Sequence, residues 1–302
     1  MNVVEFQGVT RLYPKKVQAL RGVTLALPEG TVCGLVGRNG AGKTTLLRMI
    51  PALLHPSDGT VRVFGLDPWE AQEEVKRDLG YLSENEILPG AVRIKDMLDL
   101  CASVYPKWDA AMAAELMARF ALDPRRTIST LSKGQQRQVG LLCAVCHKPR
   151  LLVLDEPAGG LDPVARREFL DVVINLLAEA GSTVLFSSHI LTDLDRVAQR
   201  LVILHEGLIL LDSPVDDLKE NMCRVEVAGP VPSDAAGTLA GRRGCFNVVR
   251  KDGSLKATLQ CAPEAATAFL RAALPTAPEV RAENAVPLGL EDIFVELTGG
   301  WT

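Results

Sequence analysis

Gly37-Arg38-Asn39-Gly40-Ala41-Gly42-Lys43-Thr44 decides the reading of this chain. The octet fits GxxxxGK[ST], follows the β-rich run Thr31 to Val36, and opens a segment with helical character from Gly42 to about Ile50, which Pro51 ends. Glycines at these spacings let backbone N–H groups turn inward around phosphate oxygens. Lys43 supplies a positive charge for the β- and γ-phosphates, and Thr44 offers a hydroxyl to Mg²⁺. The loop from Gly37 through Thr45 is therefore expected to hold a nucleoside triphosphate.

Outward from the loop, Val3 to Phe6, Val23 to Leu27 and Thr60 to Phe64 read as short strands. The apolar runs Leu151 to Leu154 and Thr183 to Phe186 flank a helical segment, Ala165 to Ala178, as a buried parallel β-α-β unit requires, and Leu201 to Leu204 extends the same sheet. The first run ends in Asp155-Glu156, two carboxylates at the carboxyl edge of a parallel sheet, where ligands collect in such folds. Asp155 suits Mg²⁺ ligation through water, and Glu156 suits polarising an attacking water. By itself the pair also fits an ordinary solvated strand end; the phosphate loop gives it weight.

Composition sets bounds. The 302 residues are 47% hydrophobic and suffice for one large domain and a small one. A formal net charge of -4 gives no general attraction to nucleic acid, so no nucleic-acid partner is expected. Apolar runs of bilayer-spanning length and a signal-peptide pattern are both missing, and seven scattered cysteines suit a reducing compartment, so a cytoplasmic location is expected.

Leu131-Ser132-Lys133-Gly134-Gln135 lies between the phosphate loop and Asp155. Its local chemistry is that of a helix start with Ser132 as N-cap. It also resembles the LSGGQ signature of the ABC ATPases. Other positions match that family in order: Tyr13 resembles the aromatic that stacks on adenine, Gly160-Leu161-Asp162 the D-loop, and His189 the switch histidine. The resemblance covers residues 1 to 220. Tyr105 to Asp109, Arg126 through Lys133 and Leu290 to Phe294 are similar to a bacterial subgroup associated with antibiotic and lipid-like export.

The resemblance implies an α/β fold: a P-loop NTPase core of ABC type with an antiparallel β subdomain and a helical subdomain, the latter matching the helical pattern from Ile94 to Leu122. It implies a Mg-dependent ATPase that pairs head to tail, as a homodimer or with a related ATPase. Ser132, Gly134 and Gln135 of one protomer would reach the γ-phosphate held by the other. Lys43, Glu156 and His189 would serve the chemistry, with Thr44, Asp155 and Glu84 at the metal. The ATPase would lie peripherally on the inner face of the cell membrane through a separate transmembrane permease, which it would drive. Two departures stand out: Lys133 replaces a glycine, and Glu84 in Leu79-Gly80-Tyr81-Leu82-Ser83-Glu84 replaces the Q-loop glutamine, so an acceptor-only carboxylate stands where an amide could donate.

Rival classes fit less well. Chromosome-structuring ABC ATPases carry long coiled coils between phosphate loop and signature, and no sustained heptads occupy the span from Lys43 to Leu131. Translation-factor relatives usually carry two ATPase cores, and a P-loop metabolic kinase has no need of a signature or D-loop. Cys143-Ala144-Val145-Cys146-His147 fits the CxxCH haem pattern but lies in an apolar helix that must pack on the sheet, with no second ligand pair at zinc spacing.

The pattern changes near Pro214 to Cys223, so domains are expected at 1–222 and 223–302. The second is read as a small α+β unit with strands at Arg224 to Val227, Cys245 to Arg250, Leu255 to Leu259 and Val280 to Glu283, a turn at Asp252-Gly253 and a helix from Pro263 to Ala273. Leu290, Ile293, Phe294 and Leu297 recur at helical spacing and predict a terminal helix with one buried face.

Overall fold

The computed structural model describes residues 1–14, 17–84, 88–159, 161, 163–251 and 254–299. They form two compact units, Met1–Asp212 and Ser213–Thr302. The division falls earlier than 222/223 because the segment from Pro214, where the sequence pattern changes, folds as a helix belonging to the second unit.

In chain order the first unit comprises β1 (Asn2–Tyr13), β2 (Val17–Pro28), β3 (Val32–Val36), α1 (Lys43–Leu47), β4 (Asp58–Val63), α2 (Gln72–Arg77), β5 (Leu79–Leu82) and α3 (Ile94–Val104). There follow α4 (Ala110–Arg119), α5 (Lys133–Val145), β6 (Leu151–Asp155), α6 (Pro163–Ala180), β7 (Thr183–Ser188), α7 (Leu191–Val197), β8 (Arg200–His205) and β9 (Leu208–Pro214). β2-β1-β4 make an antiparallel sheet, and β5-β6-β7-β3-β8-β9 make a six-stranded sheet in which the pairs from β5 through β8 are parallel. Every residue of β3, β6 and β7 is buried, which is why these strands read as unbroken apolar runs.

The helix expected from Gly42 to about Ile50 is shorter, Lys43–Leu47. Beyond it the chain continues in tighter turns, with Met49, Ile50 and Ala52 donating to carbonyls three residues back. Leu46, Leu47, Met49 and Ile50 are nonetheless fully buried in a core shared by both sheets. Burial of each such side chain stabilises the fold by about 1.5–3 kcal/mol and anchors the helix that follows the phosphate loop. The helical insertion breaks at Tyr105, and Asp109 caps α4 by accepting from the Met112 N–H at 2.9 Å.

The second unit contains α8 (Val215–Glu220), β10 (Cys223–Ala228), α9 (Ala235–Ala240), β11 (Cys245–Lys251), β12 (Ser254–Leu259), α10 (Ala266–Ala273), β13 (Arg281–Pro287) and α11 (Leu290–Thr298). Its sheet runs β11-β12-β10-β13, all antiparallel. Val225, Leu255, Ala257 and Leu259 pack with Leu239 of α9 and Leu270 of α10. The expected turn at Asp252-Gly253 lies outside the described residues. No helix among the described residues is long and apolar enough to cross a membrane.

Candidate nucleotide site

The phosphate loop joins the buried end of β3 to α1. Gly37 is required by space, since a Cβ there would lie 2.3 Å from the Leu204 carbonyl oxygen. Gly42 adopts φ +109 as it enters the helix, a conformation closed to ordinary side chains. The loop is braced by Ala41 N–H donating to the Arg38 carbonyl at 3.0 Å and by Gly207 N–H donating to the Ala41 carbonyl at 3.0 Å. Asn39 and Gly40 are exposed at its tip. Lys43 is buried and donates from Nζ to the Gly37 carbonyl at 2.7 Å. Thr44 and Thr45 are half-buried, and the Tyr13 hydroxyl stands 3.4 Å from Thr45 Oγ1, so the end of β1 lies beside the loop.

The register that pairs Asp155 of β6 with Ser187 of β7 assembles the acidic side of the site. Ser187 Oγ donates to Asp155 Oδ1 at 2.8 Å and accepts the Glu156 N–H at 2.9 Å. Glu156 takes the left-handed conformation, φ 48, which turns its carboxylate back over the strand end. Glu156 Oε2 lies 2.7 Å from His189 Nδ1 and accepts the His189 N–H at 3.3 Å. Glu156 Oε1 forms an ion pair with Lys43 Nζ at 3.4 Å, too poorly aligned for a hydrogen bond. Lys43, Glu156 and His189, distant in sequence, are therefore one cluster.

Asp155 is fully buried, and its Oδ2, like Glu156 Oε1, has no hydrogen-bond partner. A buried carboxylate oxygen left bare is costly unless a ligand meets it. The bare Asp155 Oδ2, next in the chain to a Glu156 whose Oε1 pairs with the Lys43 ammonium, fits a site for a divalent cation and a phosphate.

Ser132 caps α5: its Oγ accepts the Gln135 N–H at 3.2 Å while Gln135 Oε1 accepts the Ser132 N–H at 3.2 Å, a reciprocal capping box. Ser132 and Lys133 are exposed, and Gly134 is half-buried, with space for a Cβ limited by Leu161 Cδ2 at 3.1 Å. Among the described residues no hydrogen bond or ion pair links Ser132, Gly134 or Gln135 to Lys43, Thr44 or Glu156 of the same chain. The Glu84 side chain is exposed, while its carbonyl accepts from Arg137. Gly160 and Asp162 lie outside the described residues. In the CxxCH segment His147 is a packing residue, stacked on Tyr105 with centroids 4.1 Å apart and bonded through Nε2 to the Leu79 carbonyl. Burial lowers its pKa and pushes the Cys146 thiol up to about 12.

Two residues of this region were not legible in the sequence. Ser187 is marked only by its strand register with Asp155, and Arg137 only by being a cation inside the otherwise packed helix α5.

A mostly parallel sheet with a GxxxxGK[ST] loop at the carboxyl end of one strand, and an Asp-Glu pair at that of another, defines a P-loop nucleotide hydrolase. Comparison with known proteins narrows the class. Residues 20–159 match the ABC transporter family model. The chain is 30% identical to the ABC transporter ATP-binding protein YtrB of Bacillus subtilis (strain 168), across 94% of each chain. It is 30% identical to the bacitracin transport ATP-binding protein BcrA of Enterococcus faecalis, across 99% of this chain and 97% of that one. A solved ATP-binding subunit of an ABC transporter superposes with TM-score 0.65 at 28% identity, over 72% of this chain and 92% of that one. The chain belongs to the family of ABC transporter ATP-binding proteins, and it is an ATPase of that family.

Proposed function

We propose that this chain powers a bacterial exporter by closing as a dimer on ATP and reopening after hydrolysis. The observation that carries the reading is the Lys43, Glu156 and His189 cluster beside the bare Asp155 oxygen. Glu156 is the base that orients and polarises water, and His189 fixes its carboxylate through Nδ1. Backbone N–H groups from Gly37 to Thr45, including those of Arg38, Asn39, Gly40, Ala41 and Gly42, cradle the phosphates with Lys43, and Tyr13 stacks on adenine. Thr44 and Asp155 would hold Mg²⁺, with Glu84 at the edge of that shell; the ion would neutralise charge on the phosphates.

In the dimer, homomeric or formed with a related ATPase, Ser132, Gly134 and Gln135 at the start of α5 meet the γ-phosphate held by the partner protomer. The exposure of Ser132 and the lack of a polar link to its own phosphate loop support this arrangement in trans, as does the anion preference of a helix start. Asp162 completes the interface. The helical insertion after Glu84 conveys closure to a separate transmembrane permease, which holds this chain at the inner face of the cell membrane. Bacitracin transport, in the name of the Enterococcus relative, supports an antibiotic as cargo. Every residue assigned here to the chemistry lies in the first unit, and Ser213–Thr302 is read as an accessory domain.

Affinity purification of the full chain from its native host tests the pairing. A polytopic membrane protein with about six spanning helices is expected to copurify, and its consistent absence would count against the transporter reading. In that complex Glu84→Ala should lower permease-stimulated turnover by more than it lowers the basal rate of the isolated subunit, because Glu84 is exposed and stands just before the helical insertion. Equal losses in the two rates would assign Glu84 to the chemical step.

A further inference from the structure

Arg137 joins three parts of the molecule that the chain keeps far apart. It projects from α5, the helix that Ser132 caps, and is 9% exposed. Its Nη1 donates to the Glu156 carbonyl at 2.6 Å and to the Gly159 carbonyl at 3.2 Å, and its Nη2 donates to the Glu84 carbonyl. A Cβ at position 159 would stand 3.3 Å from the Glu156 carbonyl oxygen and 3.4 Å from Nη1, so the guanidinium packs directly against this segment. A guanidinium is permanently charged and presents its donors in a rigid planar fork, so one side chain can bind the segment after β5 and the segment after β6 together. An ammonium on a flexible stem has no such fork.

Glu156 is held on both sides. Its N–H is bonded to Ser187 Oγ and its carbonyl to Arg137, and between these anchors it keeps a left-handed backbone unusual for a glutamate. That backbone aims its carboxylate at His189 and Lys43.

We propose that Arg137 is a positioning residue for hydrolysis: it locks Glu156, the Gly159 segment and the Glu84 loop to the signature helix, so that a shift of α5 moves base and loop together. The proposal rests on Glu156 being the base. It gives the α5 helix a direct mechanical route to the chemistry of its own chain, separate from the contact of Ser132 with the partner's phosphate.

The test uses the purified full chain with Arg137→Met, which keeps bulk but no donors, Arg137→Lys, which keeps charge without the fork, and Glu156→Gln in parallel. Arg137→Met should lower kcat by about tenfold to a hundredfold, the loss typical of a misplaced catalytic group, while KM for ATP changes by less than about twofold. Arg137→Lys should recover part of kcat. Amide hydrogen exchange should quicken at residues 82–84 and 155–159 and stay unchanged at residues 40–47. Wild-type kcat in a folded Arg137→Met, or a loss confined to KM, would overturn the proposal. If Arg137→Met does not fold, wild-type kcat in Arg137→Lys would overturn it equally. Turnover retained in Glu156→Gln would refute the base assignment itself. Turnover lost there but retained in Arg137→Met would refute only the positioning role.

Discussion

Lys43→Ala is expected to abolish useful ATP binding while leaving the protein folded. Nζ is the buried cation of the phosphate loop, held by the Gly37 carbonyl and facing Glu156 Oε1. Removing it deprives the phosphates of their charged partner and leaves the Glu156 carboxylate pointing at the bound anion uncompensated. Loss of one member of a desolvated charge pair costs about 2–5 kcal/mol, so affinity should fall by roughly thirtyfold to a few thousandfold. The packing that fixes α1 comes from Leu46, Leu47, Met49 and Ile50, none of which the substitution touches. Equilibrium titration with a fluorescent ATP analogue, alongside thermal unfolding, checks both halves. Unchanged affinity in a folded variant would remove Lys43 from the site.

Glu156→Gln should separate binding from turnover. The amide keeps the size of the side chain and relieves repulsion toward the γ-phosphate, yet it lacks the basicity to take a proton from water. Hydrolysis is expected to fall by about a hundredfold or more, with ATP affinity kept or raised, since general base catalysis contributes roughly 10²–10⁴ in rate. Single-turnover hydrolysis of bound ATP measures this. A wild-type rate would assign the chemistry to another group.

The parts of this molecule that were legible in sequence share a physical trait: their signal is local. Strands buried on both faces leave runs such as Leu151 to Leu154, and the phosphate loop demands glycine at positions where a Cβ would strike backbone, as at Gly37. The terminal helix was readable for the same reason, with Leu290, Ile293 and Phe294 buried on one stripe. What was missed depends on pairing between distant segments. Ser187 acquires its role only through the register of β6 with β7, and Arg137 only because α5 packs where two loops present their carbonyls. Glu296 on α11 reads as a surface residue yet is buried, because Arg224 Nε donates to it at 2.7 Å and Asn247 donates to its other oxygen. Helix α9, Ala-Ala-Gly-Thr-Leu-Ala, is too short and too poor in large apolar residues to announce itself by periodicity.

In the proposed arrangement the Lys43, Glu156 and His189 cluster of one chain faces the exposed Ser132 at the start of α5 of a second copy. Light scattering of purified Glu156→Gln measures this most directly. With saturating ATP the mutant should run as a dimer, with ADP as a monomer, and the double variant carrying Ser132→Arg should stay monomeric with ATP bound. A mutant that binds ATP yet remains monomeric at every nucleotide concentration, alone and in complex with its copurified membrane partner, would contradict the account.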